Sequence, residues 1–421
     1  MLSAMAKPGR DLTAVFDQIS AIGSQPGAGV TRLAASAEDG AARDAFARWM
    51  EGGGARIVHD EVGNQFACFE WAGKNVPWIF AGSHLDTQPR GGRFDGTLGV
   101  LAAGSAALDL HEEIRTGQFK PSRNLAVLNW TNEEGARFQP SLTGSSVFSG
   151  ALPLHEALGL QDGSSISLRE ALAAIGVDGD GSAVPPRPEA YVELHVEQGR
   201  KLIEAGRQIG IVEGTWAARK IAVRWIGRAA HTGPTPMSDR RDALLAAAQG
   251  ITAFETLIAA RHPQLHRSAA RIVIEPNSPN VVVERATVWF ELRGLDVEEL
   301  NAAGRAVLAA FELAAANTGT RIELVADTLR APANMDPRMM KIVDGAARGC
   351  DFIPLIMRSV AGHDAVALQN SGIPCALLFV PSADGVAHHP DEFTKQEDVA
   401  AGLMVLRAAL RDLVQRGYHA G

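Results

Sequence analysis

Four short stretches of this sequence carry residues whose types and spacing could hold a metal ion and move protons. The first is Gly82-Ser83-His84-Leu85-Asp86-Thr87, followed by Gly91-Gly92-Arg93-Phe94-Asp95-Gly96. His84 and Asp86 stand two apart at the end of an apolar run, so on a strand they share a face, and the glycines let Asp95 fold back beside them. That geometry suits a metal ligand and the residue that orients it. A plainer reading makes His84 the end of a strand and Asp95 a helix N-cap. The second stretch, Thr131-Asn132-Glu133-Glu134-Gly135, follows another apolar run. Adjacent carboxylates there repel unless a cation or a proton lies between them, so one can bind a metal while its neighbour handles protons. The alternative is a solvated acidic loop. His195, in Glu193-Leu194-His195-Val196-Glu197-Gln198-Gly199, and His388-His389, in Gly385-Val386-Ala387-His388-His389-Pro390, complete the set. A lone histidine at such a place is more often structural. Four such features, each at the end of a predicted strand, argue against accident.

The elements that must position them can be read from pattern. Ser36 with Asp39 resembles a capping box before a helix with a Phe46, Trp49, Met50 stripe, ended by Gly52-Gly53-Gly54. Runs 57–59 and 66–71 form a hairpin, and 77–83 and 124–130 read as fully buried strands around a helix over 96–111. Strand, helix, strand implies a βαβ unit and a mostly parallel sheet, in which ligands gather at the carboxyl ends of the strands. The Gly-, Asp- and Pro-rich stretch 178–188 is a weak boundary, and strand 190–196 after it could rejoin the same sheet. From about residue 214 the order is strand 220–225, helix 239–261, strands 271–275 and 287–294, helix 297–317, strand 321–326. That is the split βαβ, ferredoxin-like unit. A helix over 339–348, a strand over 375–380 and a helix over 395–416 then resume the first domain. The expected protein is α/β, with a mixed, mostly parallel sheet in a discontinuous catalytic domain (1–213 and 331–421) and an inserted ferredoxin-like α+β domain (214–330).

Composition sets the outer limits. The 421 residues exceed the roughly 250–300 that one core usually serves. A chain 46% hydrophobic and 21% charged is ordinary globular material. Forty Lys and Arg against 48 Asp and Glu leave a net charge of -8 with no basic tract, which argues against nucleic acid as a partner. Cys68, Cys350 and Cys375 lie too far apart for a CxxC motif and read as reduced, packed thiols. No apolar segment precedes Lys7 and Arg10, and no run of about 18 apolar residues occurs, so the expectation is a cytoplasmic protein without a membrane partner.

The motifs GSHLDTQPRGGRFDG, TNEEGARF, ELHVEQGR, AHTGPTPMSDRRDAL, PNSPNVV, AGHDA and FVPSADGVAHHPDEFT, spread over residues 82–394, resemble the M20-type metallohydrolases. The branch they resemble is that of the amidases, hydantoinases and carbamoylases, with N-carbamoyl-L-amino acid hydrolases, beta-ureidopropionases and allantoate amidohydrolases among its members. The resemblance implies a catalytic α/β domain and an inserted lid domain used for homodimerisation. It implies two divalent metal ions, zinc foremost, with manganese, cobalt and nickel accepting the same donors. One ion would be held by His84, Asp95 and His195, the other by Asp95, Glu134 and His388, with Asp95 bridging. Two cations sharing one water acidify it and polarise the carbonyl under attack. Asp86 would orient His84, and Glu133 would be the general base that takes the water proton and passes it to the leaving nitrogen.

From the inserted domain, the resemblance assigns His231 to oxyanion stabilisation in the partner subunit's site. Gln198, Asn280 and Arg293 would hold a small-molecule substrate, the arginine pairing with its carboxylate; the plainer alternative pairs Arg293 with Glu291 or Asp296. His363, in Gly362-His363-Asp364, is assigned a substrate contact, and Arg240 with Asp242 a structural pair at a helix start. His389 stands where relatives carry a small polar residue and Glu291 where an aspartate is common; His388 is taken as the ligand. The implied reaction cleaves the carbamoyl C–N bond of an N-carbamoyl amino acid, ureidopropionate or L-α type, to amino acid, carbon dioxide and ammonia. Allantoate hydrolysis is the nearest alternative and an aminoacylase or peptidase a more distant one. A metal-binding protein without activity would lack part of the donor set, and His84, Asp95, Glu133, Glu134, His195 and His388 are all present.

Overall fold

The computed structural model describes residues 12–418 apart from 28, 178, 180, 182 and 183. The stretch around Lys7 and Arg10 and four residues of the 178–188 stretch therefore lie outside the described residues. The chain divides into two compact units, Met1–Gly214 with Asn334–Gly421, and Thr215–Ala333.

The first unit opens with helices α1 (Leu12–Ser20) and α2 (Ala37–Gly52), then strands β1 (Arg56–His59), β2 (Gln65–Phe69) and β3 (Trp78–His84). Helix α3 (Thr97–Arg115), β4 (Asn124–Trp130), β5 (Ala190–Val196) and β6 (Gly210–Thr215) follow. In the second unit come β7 (Ala217–Ile226), α4 (Ala243–Arg261), β8 (His266–Glu275), β9 (Arg285–Gly294), α5 (Val297–Asn317) and β10 (Arg321–Arg330). The chain then returns with α6 (Pro337–Gly349), β11 (Leu355–Ser359), α7 (Asp364–Asn370), β12 (Cys375–Val380) and α8 (Gln396–Arg416).

The first unit's sheet has the order β11-β6-β12-β5-β3-β4-β2-β1. It is mixed: β12, β5, β3 and β4 run parallel at its centre, while β2 and β1 on one side are antiparallel to their neighbours and β6 on the other is antiparallel to β12. Every residue of the four parallel strands is buried, which is why they read as unbroken apolar runs. Helix α3 provides the crossover from β3 to β4, and its apolar residues share one core with α8 and the inner faces of β3 and β5. Ser36 caps α2 as expected, accepting from the Asp39 amide. The reciprocal bond differs: the Asp39 carboxylate takes the Ala35 amide instead and is paired with buried Arg43.

The second unit's sheet has the order β8-β9-β7-β10, antiparallel throughout, the ferredoxin-like arrangement. Trp225, Phe254, Phe290 and Phe311 fill the space between sheet and helices, with ring centroids 4.5 to 6.3 Å apart. Burying each such side chain contributes roughly 2–3 kcal/mol. Among the described residues, α4 alone is long and apolar enough to cross a membrane, and its Ala246, Gly250, Phe254 and Ile258 are spent on this core. It begins four residues later than the pattern suggests, because Met237–Asp239 is a separate 3-10 turn and Asp242 supplies the N-cap.

Candidate metal centre

The four parallel strands end on the same edge, and each delivers a donor there. His84 is the last residue of β3, His195 lies one residue before the end of β5, Glu133 and Glu134 follow β4, and His388 follows β12. Asp95 arrives on the turn before α3. The residue in the N-cap position is Gly96, so the Asp95 carboxylate is left to face the histidines instead of capping the helix. Gly96 has φ of 62°, and a Cβ there would lie 2.4 Å from the His84 ring, so only glycine lets the turn approach so closely.

Among the described residues three groups of donors have their ligand atoms within 4.8 Å of one another; two of them share Asp95, namely His84, Asp95 and His195, and Asp95, Glu134 and His388, while the third is Glu193, His195 and His363. Asp95 Oδ1 lies 3.1 Å from His195 Nε2 and 3.6 Å from His84 Nε2. Its Oδ2 lies 3.3 Å from His388 Nε2, which is 3.4 Å from Glu134 Oε2. The imidazoles are oriented from behind. His84 Nδ1 is 2.9 Å from the Asp86 carbonyl and His195 Nδ1 is 2.9 Å from the Val196 carbonyl. A carbonyl can only accept, so each Nδ1 carries a hydrogen, and each Nε2, which faces Asp95, is the nitrogen left for a metal ion once its own proton is released. His84 Nε2 is buried and has no hydrogen-bond partner. An inward-facing nitrogen of this kind, in a set of nitrogen and carboxylate donors sharing one bridging residue, fits a divalent ion of the zinc type.

Glu133 belongs to none of these groups; its Oε2 stands 3.5 Å from His84 Nε2. The Asp86 carboxylate accepts the amides of Glu133 and Glu134, both at 3.2 Å, so it is Asp86's main-chain oxygen that steers His84 while its side chain fixes the glutamate turn. Three residues here hold a left-handed backbone without being glycine: Asn132 (φ 54°), Gln198 (φ 58°) and His388 (φ 54°). Each costs of order 1–3 kcal/mol, a strain typical of functional turns.

The charges are strongly coupled. Burial works against the charge on Asp95, but His195, His388 and His84 outweigh it and hold the carboxyl well below the usual range. In return, and against burial, carboxylates raise His84 and His195 and push His388 to about 9. Burial and then its acidic neighbours drive Glu133 well above the usual carboxylate range, with only His84 pulling strongly the other way. Glu134 is raised by burial and by Asp95, and Asp86 goes to about 6 by burial. So dense a set of carboxylates requires positive charge, supplied by protons or by metal.

The remaining expected residues fall as follows. Gln198 donates its amide to Asp95 Oδ2 at 2.6 Å. His363 is buried, its ring edge-on to His195 with centroids 4.5 Å apart and its Nε2 3.2 Å from Ser359 Oγ. His389 turns away from the donors and takes the Asp391 amide on Nδ1. In the second unit a short ribbon pairs Ala230–His231 with Val281–Val282, which brings His231 beside the loop of Asn280. Arg293 lies 3.1 Å from Glu291, the plainer of its two readings as far as its partner goes. The expected Arg240–Asp242 pair is corrected: Arg240 binds the carbonyls of Thr232 and Thr235, while Asp242 caps α4 through the amides of Leu244 and Leu245, each side chain satisfying nearer main-chain groups.

Several residues escaped the sequence reading. Gln88 grips Glu134 with its amide N–H (3.2 Å) and its side chain (2.9 Å). Asn129 holds the Leu85 amide, and Glu392 those of Phe94 and Asp95. Glu193 takes Ser83 Oγ and the Ala365 amide, beside Asp364. Only Glu193 left a signal, as a charged residue inside a run otherwise fit for a buried strand.

A parallel sheet whose carboxyl edge gathers these donors defines a metal-dependent hydrolase. The chain belongs to peptidase family M20/M25/M40, which matches residues 80–412, and it is an amidohydrolase acting on amide C–N bonds. It is 35% identical over 402 residues to the N-carbamoyl-L-amino acid amidohydrolase of Geobacillus stearothermophilus, covering 94% of this chain and 97% of that one. To the allantoate amidohydrolase of Bacillus subtilis it is 31% identical over 407 residues, covering 96% and 97%. The crystal structure of a Burkholderia vietnamiensis amidase of the hydantoinase/carbamoylase family matches with a TM-score of 0.91 at 32% identity, over 97% of this chain and 98% of that one.

Proposed function

We propose that this chain hydrolyses the carbamoyl C–N bond of N-carbamoyl amino acids, with water as co-substrate, to the free amino acid, carbon dioxide and ammonia. The observation that carries the reading is a buried carboxylate, Glu133, set beside two donor groups that share Asp95 and belonging to neither. His84, Asp95 and His195 would hold one divalent ion and Asp95, Glu134 and His388 the other; when bound, such a pair lowers the pKa of a water and polarises the carbonyl. Glu133 accepts the proton from that water and returns it to the departing nitrogen. Asp86 keeps Glu133 in place through its amide. Gln198, Asn280 and Arg293 are the proposed substrate holders, the guanidinium meeting the substrate carboxylate, and His231 the proposed donor to the developing oxyanion in the partner subunit's site. Zinc is the proposed metal, because mixed sets of imidazole and carboxylate donors suit it.

Allantoate is the second candidate substrate, supported by the likeness to the Bacillus subtilis enzyme, since it offers the same ureido and carboxylate groups. We also propose a homodimer through the second unit. Its edge strand β10 leaves Leu324, Val325 and Leu329 40 to 50% exposed, and an apolar sheet edge of that kind is a template for pairing. The test is ammonia release from N-carbamoyl-β-alanine, N-carbamoyl-L-α-amino acids and allantoate, by chelated protein before and after zinc or manganese is restored, with the oligomeric state read by light scattering. Metal-dependent turnover of a carbamoyl amino acid is expected. Turnover of allantoate alone replaces that substrate with the second, and no turnover by protein holding two ions overturns both.

A further inference from the structure

Asp95 faces three imidazoles at once, and its reach to the third, His388, depends on how its turn is set against the turn that presents His388. The grip on that turn comes from the far end of the chain. Glu392, buried at 4% exposure, accepts on its single Oε1 the main-chain N–H groups of Phe94 (2.8 Å) and Asp95 (3.0 Å). Its carboxyl fits because residue 92 is glycine; a Cβ there would lie 2.2 Å from Glu392 Cδ and Oε1. The Glu392 amide donates to the His389 carbonyl at 3.0 Å, closing the turn that presents His388. Phe393 adds an edge-on contact to Phe94, with centroids 5.9 Å apart and planes at 90°. One side chain thus links the turn of His388 to the turn of Asp95, whose facing atoms are 3.3 Å apart. Glu392 Oε2 is buried without a hydrogen-bond partner, so the grip is exerted by one oxygen as a two-fold acceptor and makes no use of the second.

We infer that Glu392 is a positioning residue for the two-ion centre: by holding the amides of Phe94 and Asp95 it sets the reach from Asp95 to His388 and thereby the affinity of the second donor group. The inference rests on the two-ion reading above. It predicts a split between the groups, because His84 and His195 are oriented by carbonyls of their own strand ends, while His388 sits on the turn that Glu392 ties down.

The experiment titrates metal-free wild type, Glu392→Gln and Glu392→Ala with cobalt and with zinc against a chromophoric chelator, counting ions per chain and recording the cobalt absorption bands. Wild type should take two ions. Glu392→Ala should keep the first and bind the second about 10- to 100-fold more weakly, the usual penalty for losing a group that orients ligands. Glu392→Gln retains an oxygen that can accept both amides and should restore the second ion. Glu392→Asp, shorter by one methylene but equally charged, should resemble the alanine variant and serves in its place if that variant does not fold. Two ions held by Glu392→Ala as tightly as by wild type overturn the inference alone. A glutamine variant as defective as alanine also overturns it, since charge and not reach would then be at issue. A folded wild type that never takes two ions overturns the two-ion reading and the inference with it.

Discussion

Glu133 and Glu134 are neighbours on one turn, and their amides are held by the same carboxylate at the same 3.2 Å, so Glu133→Gln and Glu134→Gln are nearly identical perturbations. Each keeps the side-chain volume, keeps the main-chain bond to Asp86 and removes one negative charge. Their consequences should nevertheless divide. Glu134 shares the second donor group with Asp95 and His388, whereas Glu133 stands outside both groups, 3.5 Å from His84 Nε2. An amide cannot take up a proton, so Glu133→Gln loses the whole general-base contribution, typically 10²- to 10⁴-fold, or about 2.7–5.5 kcal/mol of barrier. With metal saturating, kcat should fall by that factor, KM should move no more than a few-fold, and two ions should remain bound. Glu134→Gln should instead weaken the second ion by at least about 10- to 100-fold and regain part of its activity as metal is added. The measurements are ion stoichiometry after equilibrium dialysis and ammonia release under saturating substrate. The reasoning fails if Glu133→Gln retains more than a tenth of wild-type kcat, or if it sheds an ion that Glu134→Gln keeps.

The two adjacent histidines make a similar pair. His388→Asn should lose the second ion, and His389→Asn should bind both normally, because only His388 faces Asp95 and Glu134; equal losses in metal titration would contradict this. Gly96→Ala combines a left-handed backbone, a penalty of roughly 1–2 kcal/mol, with a methyl 2.4 Å from the His84 ring. It should displace His84 and weaken the first ion, and undiminished binding there would refute the close approach. His59 offers a test of stability against pH. Burial, followed by the Arg43 charge, lowers it to about 4 from the ordinary 6.5. Unfolding then takes up a proton below pH 6.5, so this contribution is full above 6.5 and is lost as pH falls towards 4, by up to about 3 kcal/mol. Urea unfolding at pH 7 and pH 5 should show a smaller difference for His59→Gln than for wild type; an unchanged difference would discount the histidine.

Much of the first unit's scaffold was legible because its centre is parallel and buried on both faces. Asn124–Trp130, Ala190–Val196 and Cys375–Val380 are strands over the same residues that the apolar runs mark. Strands β6 (GIVEGT) and β11 (LIMRS) were not legible, since one holds two glycines and the other is a half-exposed edge whose pattern matches no face. The three short helices Thr143–Phe148, Leu154–Leu158 and Leu168–Ala174 are each under two turns, too short to show a period. In the centre, the candidate donors were visible because His and paired carboxylates stand out at strand ends. The residues that hold them were not. Gln88, Asn129 and Glu392 act through hydrogen bonds that bridge 44 to 298 positions, and such bonds leave no periodicity or local signature. His363 was visible as a motif histidine, but not its contacts, the edge-on packing on His195 and the approach of Ser359 Oγ to its Nε2.

How the donors are held also explains what the centre costs. The imidazoles of His84 and His195 lean on carbonyls of their own strand ends, the glutamate turn hangs from Asp86, and the Asp95 turn hangs from Glu392. None of these supports is itself a donor to the candidate ions, so the fold can assemble the cluster before any metal arrives. That preassembly crowds Asp86, Asp95, Glu133 and Glu134 together and fixes three residues in left-handed backbone, and both features oppose folding. The buried strands and helices offset the opposition; in the metal-free chain, protons on the histidines and on the raised carboxyl groups relieve part of the rest. Metal uptake must then release those protons, so affinity should be tied to pH by the same charges that make the site attractive to a cation. Local rules of charge and backbone are broken where the chemistry is, and the surrounding core is what allows them to be broken.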